Sequence, residues 1–259
     1  MVTVKTQEQI ELMREAGKIV GEVLLLMEKE AKPGISTKAL DKIAYEYIIS
    51  RGAKPSFLHY NGFPATICAS IDDVVVHGFP SEKDVLKEGM LLSIDVGAIY
   101  HGWHGDAART FAIGKVSDEK AKLLDVTRRS FFEGIKGIKA GSRLGDIGAQ
   151  VQHCVEKHGF SVVRDMVGHG IGNHMHEAPN VPNYGTAGTG MKLEANMTIA
   201  IEPMVNAGTW RLKMKGWDHR TADGRPSAHY ENTVLITENG VEILTQSSKG
   251  EIDEQRRCY

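Results

Sequence analysis

The sequence predicts an α+β fold built from two related halves. Segments with helical apolar spacing are followed by short runs of β-branched residues, and the same order recurs in the second half of the chain. Helix stops, a strand start and a strand carboxylate recur at an offset of 107 positions: Gly34 and Gly141, Gly52 and Gly159, Met90 and Met197, Asp95 and Glu202. We therefore expect a single domain over 1–259, with halves at roughly 1–115 and 116–259 related by a pseudo-twofold axis. Strands shared between such halves usually merge into one sheet with helices on one face.

The first half begins with two predicted helices. Thr6 and Gln9 predict a capping box, apolar residues then follow at helical spacing, and Pro33-Gly34 ends the helix. Thr37 can cap a second helix, which Gly52 ends. Three β-branched runs follow and predict strands: ATICASI, DVVVHGF and LLSIDVGAI.

The second half repeats this order. Ser117 can cap a helix that runs to about Lys139, and Gly141 stops it. A further helix lies around DIGAQVQHCVEKHG and ends at Gly159. Strand-like runs return with SVVRDMV, MTIAIEPMV and NTVLIT.

The composition argues against a nucleic-acid-binding, membrane-bound or disulfide-rich protein. The 259 residues carry 31 basic and 33 acidic side chains, so no global field favours nucleic acid or a membrane surface. The N-terminus lacks a signal-peptide pattern, and the most apolar stretch, 19–27, is far shorter than the ~20 residues needed to span a bilayer. Three scattered cysteines, Cys68, Cys154 and Cys258, form no CxxC pair. We expect a soluble cytoplasmic monomer with reduced thiols.

Two aspartates occupy strand-like segments, where Asp is uncommon. If the turn of SIDVGAIYHGWHGDAARTF is centred between Tyr100 and His101, Asp95 lies directly opposite Asp106 on one face. Two carboxylates that close need a positive partner. One Arg could serve, but a divalent cation suits carboxylate oxygens better.

The repeat adds further candidate ligands. Glu202 is the counterpart of Asp95, Glu231 opens the run ENTVLIT, and His169 lies in VGHGIG. Four carboxylates and one imidazole suit two divalent cations about 3.5–4 Å apart, an arrangement known in hydrolases. Each residue alone also has an ordinary structural interpretation: a turn Asp, an edge Glu, a hydrogen-bonded His. The chain contains neither HExxH nor a Gly-x-Ser-x-Gly elbow.

Five segments resemble, in order and spacing, the motifs of the type I methionine aminopeptidase family: VVVHGFP, SIDVGAIYHGWHGDAARTF, GHGIGNHMHEAP, IAIEPMVNAG and SAHYENT. The resemblance implies the pita-bread fold, with a curved antiparallel sheet covered by helices. It implies removal of the initiator methionine from nascent chains when the second residue is small, by a metal-bridging hydroxide that attacks the first peptide carbonyl. The implied ligands of two divalent ions (Co, Mn, Fe, Zn or Ni) are Asp95, Asp106, His169, Glu202 and Glu231, with Asp106 and Glu231 bridging.

The same resemblance implies roles for other residues. His77 would contact substrate near the scissile amide nitrogen, His176 would hydrogen-bond the carbonyl oxygen, and Glu202 would also handle the proton of the water. The methionine pocket would be lined by Tyr60, Phe63, Cys68, Met175 and Trp217. The chain departs from the family pattern at Met175, where Phe is usual, and at Asn232, where His is common. Met175 leaves the pocket's shape open, whereas Asn232 lies outside the ligand set.

Two alternative functions remain open from the sequence. One is a pita-bread hydrolase that cuts X-Pro bonds, against which the short chain argues. The other is a non-catalytic module that binds the ribosome or RNA, against which the five intact candidate ligands argue. Only 32 residues separate His169 from Glu202, which leaves no room for the helical insertion of type II enzymes. The expected partners are nascent polypeptide N-termini, with a transient ribosome contact.

Overall fold

The computed structural model of the protein describes residues 2–246. Its helices are α1 (Gln7–Glu30), α2 (Thr37–Ser50), α3 (Asp118–Ile135) and α4 (Leu144–Glu156), with a 3₁₀ turn at Tyr60–Gly62. The strands of the first half are β1 (Lys54–Pro55), β2 (Ile67–Ile71), β3 (Val74–Val76), β4 (Leu91–Tyr100) and β5 (Trp103–Ala112). Those of the second half are β6 (Ser161–Val162), β7 (Gly168–Gly170), β8 (Glu177–Val181), β9 (Thr198–Ile201), β10 (Met204–Asn206), β11 (Leu212–Lys215), β12 (Asp218–Thr221), β13 (Ser227–His229), β14 (Asn232–Ile236) and β15 (Val241–Ile243).

The helix starts follow their capping residues. The capping box of Thr6 and Gln9 is present, and the Ser117 side chain accepts the Lys120 N–H, so both predicted caps are confirmed. The N-cap of α2 is Ser36 rather than the predicted Thr37, because the Ser36 side chain accepts the Ala39 N–H and Thr37 is the first helical residue. Helix α3 ends four residues before Lys139, since the chain takes a left-handed conformation at Gly137, with φ of 73°.

The 107-residue offset recurs in the hydrogen bonds. The glycines that follow α1 and α3 both have left-handed φ, and each donates its N–H to a carbonyl at the same relative position, Leu86 for Gly34 and Leu193 for Gly141. The sulfurs of Met90 and Met197 each accept an N–H from three residues earlier. These paired contacts support a repeated unit, and the boundary between the halves at 115 and 116 stays a prediction.

Neighbouring strands pair antiparallel throughout the described residues. They form four separate sheets rather than the one continuous sheet that was expected. The largest two are β1-β4-β2, with β5 on β4, and β15-β14-β9-β7-β8. Between β5 and the start of β14, Ala108 and Glu231 exchange two backbone hydrogen bonds, of 3.3 and 2.9 Å. This contact joins strands from the two halves beside Glu231.

The long hairpin of β4 and β5 packs directly against α1. Val20 and Val23 of α1 are fully buried in the same cluster as Ile94 and Ala107 of the hairpin. At Gly105 of β5 the backbones approach so closely that a Cβ would lie 2.7 Å from the Gly17 nitrogen. The hairpin therefore has a fixed position relative to α1.

The sequence predicts that no segment spans a membrane and that the cysteines are reduced. No helix among the described residues is long and apolar enough to cross a bilayer. Cys68 and Cys154 are free thiols, and Cys258 lies outside the described residues.

Candidate functional site

The register of the β4–β5 hairpin differs from the prediction. The turn consists of His101 and Gly102, both with positive φ (47° and 86°), as in a type I′ turn. Asp95 consequently lies opposite Ala108, and Asp106 lies opposite Gly97, so the predicted direct opposition of the two aspartates is wrong. The shift is by two positions, which keeps both side chains on the same face as diagonal neighbours, still within interaction range.

The direct opposition of carboxylates occurs instead in the second half. Ile201 pairs with Asn232 and Met204 pairs with His229 in the same register, and between these pairs the Tyr230 N–H donates to the Pro203 carbonyl (3.1 Å). Glu202 and Glu231 occupy the positions between these pairs and therefore face each other. The backbone bonds of Ala108 with Glu231 bring this pair next to the aspartate hairpin.

His169, in β7, completes the predicted set. Its Nδ1 lies 2.9 Å from the Gly170 carbonyl oxygen, to which it donates, so the lone pair remains on Nε2. Nε2 lies 3.7 Å from Glu202 Oε1. The structure thus brings together all five predicted ligands, whose order in the chain is Asp95, Asp106, His169, Glu202 and Glu231.

Two groups of ligand atoms each lie within 4.8 Å of one another. One comprises Asp106, His169 and Glu231, and the other comprises Asp95, His229 and Glu231. Within the described part of the chain, four buried atoms at this centre have no hydrogen-bond partner: Asp95 Oδ1, Asp106 Oδ1, Glu231 Oε1 and His229 Nε2. Buried polar atoms are otherwise almost always satisfied, so these atoms point to a ligand that the protein itself does not supply.

Electrostatics support the same conclusion. Burial raises the pKa of Asp95 to about 7. Burial, followed by repulsion from neighbouring carboxylates, raises the pKa of Asp106, Glu202 and Glu231 well above the usual range. Burial also lowers the pKa of His169 to about 4, which keeps the imidazole neutral. Hard carboxylate oxygens and a neutral imidazole fit divalent cations.

His77 and His176 flank the carboxylates. His77 adopts φ of 62°, its Nδ1 lies 3.1 Å from Nδ1 of His219, and its ring meets the Trp217 ring edge-on. His176 Nδ1 lies 2.8 Å from the Tyr60 hydroxyl, and its ring centroid is 4.2 Å from that of His169. Both imidazoles line the same cavity as the carboxylates.

This cavity, of about 260 Å³, joins a polar end to an apolar end. The carboxylates lie at the polar end. The predicted pocket residues line the apolar end and pack in one cluster with Phe57 and Ala65: Tyr60, Phe63, Cys68, Met175 and Trp217. Cys68 lies opposite Asp95 on β2, and burial raises the pKa of its thiol well above the usual range, so it forms an apolar wall.

Sequence reasoning did not single out three residues around the site. His229 precedes Glu231 by two positions, and this spacing places both side chains on one face of a strand. His219 contacts His77. Arg109 is buried with its guanidinium 4.1 Å from the Tyr230 ring centroid, and it donates to the Glu231 carbonyl (2.6 Å) and to Asn232 Oδ1 (2.8 Å). Asn232 therefore contacts the residue that supports the Glu231 backbone.

The sequence of the chain matches a known protein family and its members. The family model of metallopeptidase family M24 matches residues 11–238. The chain is 54% identical over 247 residues to a methionine aminopeptidase of Clostridium acetobutylicum, covering 95% of this chain and 99% of that protein. It is 47% identical over 248 residues to methionine aminopeptidase 1 of Bacillus subtilis, covering 95% and 100%.

The fold agrees with these sequence matches. The crystal structure of methionine aminopeptidase from Thermotoga maritima superposes with a TM-score of 0.94 at 45% identity, covering 95% of this chain and all of that one. The α+β pita-bread architecture expected from the sequence is confirmed. The chain belongs to metallopeptidase family M24.

Proposed function

We propose that this chain is a methionine aminopeptidase that removes the initiator methionine from nascent chains when the second residue is small. The observation that carries the proposal is one cavity with a carboxylate–imidazole cluster at one end and a sulfur- and aromatic-lined pocket at the other. The high identity to methionine aminopeptidases over nearly the whole chain supports the same activity.

The five predicted ligands would hold two divalent cations, with Co, Mn, Fe, Zn and Ni as the candidate ions. Glu231 belongs to both groups of ligand atoms, which supports a bridging role, and Asp106 is the second proposed bridge. When bound, such ions polarise a carbonyl and lower the pKa of water. Glu202, which faces Glu231 and lies 3.7 Å from His169, would accept and return the proton of the attacking water.

The two flanking histidines would orient the peptide bond. A Tyr60 hydroxyl that donates to Nδ1 of His176 leaves the proton on Nε2, which can then donate to the substrate carbonyl oxygen as negative charge develops. His77, held by His219 and Trp217, would contact the substrate near the scissile amide nitrogen. The thioether of the substrate would pack against the rings of Phe63 and Trp217.

A peptide panel tests this function. The purified protein, stripped of metal and then supplied with Co²⁺ or Mn²⁺, should release methionine from Met-Ala-Ser and leave Ala-Pro peptides intact. Cleavage of Ala-Pro alone would identify an X-Pro aminopeptidase instead. A protein that takes up no divalent metal and leaves both peptides intact would refute a catalytic role.

We also propose that the chain acts as one catalytic domain, as a cytoplasmic monomer with transient access to the ribosome, where its substrates emerge. Light scattering after size-exclusion chromatography should give the mass of one chain, 28.4 kDa. Co-sedimentation should show ribosome binding that is lost at raised salt. A stable dimer, or no ribosome association at low salt, would contradict these two points.

A further inference from the structure

His229 is a buried histidine at the centre of the site that the expected ligand set does not include. It ends β13, pairs with Met204 of β10, and is 2% exposed. Its backbone is fixed on the other side by Thr110, whose hydroxyl accepts the His229 N–H (2.8 Å) and donates to its carbonyl (2.9 Å). The imidazole is therefore held on a rigid strand rather than on a loop.

The Nε2 atom of His229 is directed at the carboxylates. It lies 3.6 Å from Glu231 Oε2 and 3.9 Å from Glu202 Oε2. Both distances exceed the 2.7–3.2 Å of a normal hydrogen bond. Within residues 2–246 this buried nitrogen has no hydrogen-bond partner. Leaving such an atom unsatisfied costs free energy, so its position requires another partner.

The spacing is that of two ligands around one ion. Ligand atoms each about 2.1 Å from a shared cation lie roughly 3.0–3.5 Å apart at octahedral or tetrahedral angles. The separation of His229 from Glu231 is close to this range. It also matches the 3.7 Å between His169 Nε2 and Glu202 Oε1, so the two imidazoles have similar relations to the carboxylates.

We propose that Nε2 of His229 is a direct ligand of the divalent cation held by Asp95 and Glu231. The other cation would then be held by His169, Asp106, Glu202 and Glu231, so that each ion has one imidazole, with Asp106 and Glu231 as the proposed bridges. This inference rests on the proposed function, since it assigns a further ligand to the same centre.

A different role for His229 would be to donate a hydrogen bond to Glu231 without touching a cation. The variant His229→Gln separates the two roles. A glutamine amide can still donate near the Nε2 position, but it is a much poorer ligand than imidazole for Co²⁺ or Zn²⁺. As a matched control, His158→Gln removes a histidine that bonds to the Cys154 carbonyl, outside the cavity.

The first experiment measures stepwise binding of Co²⁺ and of Mn²⁺ by calorimetry in wild type, His229→Gln and His158→Gln. We expect one of the two binding steps to weaken at least about tenfold in His229→Gln, and the other to change little. The loss should be larger for Co²⁺ than for Mn²⁺, because imidazole favours the softer ion. Circular dichroism and thermal unfolding of the metal-free proteins check that both variants fold.

The second experiment counts imidazole ligands directly. Proton NMR of the Co²⁺-loaded wild type should show two hyperfine-shifted, solvent-exchangeable imidazole N–H resonances, and His229→Gln should show one. A single resonance in wild type, or equal Co²⁺ affinities in wild type and His229→Gln, would overturn the assignment of His229 while leaving the proposed function intact. A wild-type protein that binds no divalent ion would instead refute the proposed function.

Discussion

Replacing Asp95 by Asn should have opposite effects on the metal-free and the metal-loaded protein. In the metal-free protein, Oδ1 of Asp95 is buried without a partner, and the side chain is surrounded by three other carboxylates. Removing its charge should therefore stabilise the metal-free fold. With metal present, the same change removes a proposed ligand and should weaken the stabilisation that the ions give.

The magnitude follows from the pKa of Asp95. A rise from 3.8 to about 7 corresponds to about 4 kcal/mol at about 1.36 kcal/mol per pKa unit. An asparagine amide without hydrogen-bond partners lowers the free energy of unfolding by about 1–3 kcal/mol, which offsets part of this gain. The net gain in the free energy of unfolding at pH 8 is then about 1–3 kcal/mol, or about 2–12 °C in Tm for a chain of this size. Because part of the residue is accessible from the cavity, we expect the lower half of this range.

The pH dependence has a definite sign. A carboxyl whose pKa is higher in the folded than in the unfolded state contributes stability that is complete below about pH 3.8 and is lost as the pH rises through about 7. The advantage of Asp95→Asn should therefore be small at pH 5 and should grow towards pH 8. With metal at 100 times its Kd, wild type gains about 2.7 kcal/mol, and the variant should gain much less.

Thermal and denaturant unfolding at pH 5 and pH 8, with a chelator and then with saturating Co²⁺, measures both effects. Asp125→Asn, an exposed helix position, serves as the control and should change stability by no more than about 0.5 kcal/mol. A metal-free Asp95→Asn protein that is less stable than wild type at pH 8, with an unchanged pH profile, would refute the reasoning.

Four further predictions concern the site and its support. Glu231→Gln should lose both cations on dialysis, since Glu231 is common to both ligand groups, and retention of two ions by elemental analysis would contradict this. The rise in Tm caused by Co²⁺ should increase between pH 5.5 and 7.5, because binding must displace protons from carboxyls of raised pKa; a constant rise would argue against it. Met175→Ala should raise KM for Met-Ala-Ser more than it lowers kcat, and unchanged kinetics would exclude Met175 from the pocket. Gly105→Ala should destabilise the protein by about 1–3 kcal/mol in thermal unfolding, because its Cβ would lie 2.7 Å from the Gly17 nitrogen; full stability would show that the helix can shift.

The sequence predicted which five side chains meet in one cavity, but not the details of their geometry. Side chains alternate between the two faces of a strand. A change of the strand register by two residues therefore leaves Asp95 and Asp106 on the same face. The register itself depended on the turn. His101 adopts positive φ, which is uncommon for a residue with a Cβ, and so the two-residue turn at His101–Gly102 could not be told from one centred a residue earlier.

The proposed role of His229 could not be predicted from the sequence, for a different reason. Its spacing from Glu231 predicts a shared face, but it does not show that Asp95 and Glu202, which come from other segments, also lie close to His229. The direct opposition of Glu202 and Glu231 likewise depends on the register that continues from β9 and β14 into β10 and β13. Long-range pairings of this kind leave no local pattern in the sequence.

The two backbone hydrogen bonds between Ala108 and Glu231 have a consequence for the order of folding. An N-terminal fragment that ends before residue 116 contains Asp95 and Asp106 but lacks His169, Glu202 and Glu231. A chain emerging during synthesis should therefore acquire tight metal binding only after β14 has joined β5. Metal retention would then report completed assembly of both halves, and a nicked or truncated chain could be recognised by its failure to keep the ions.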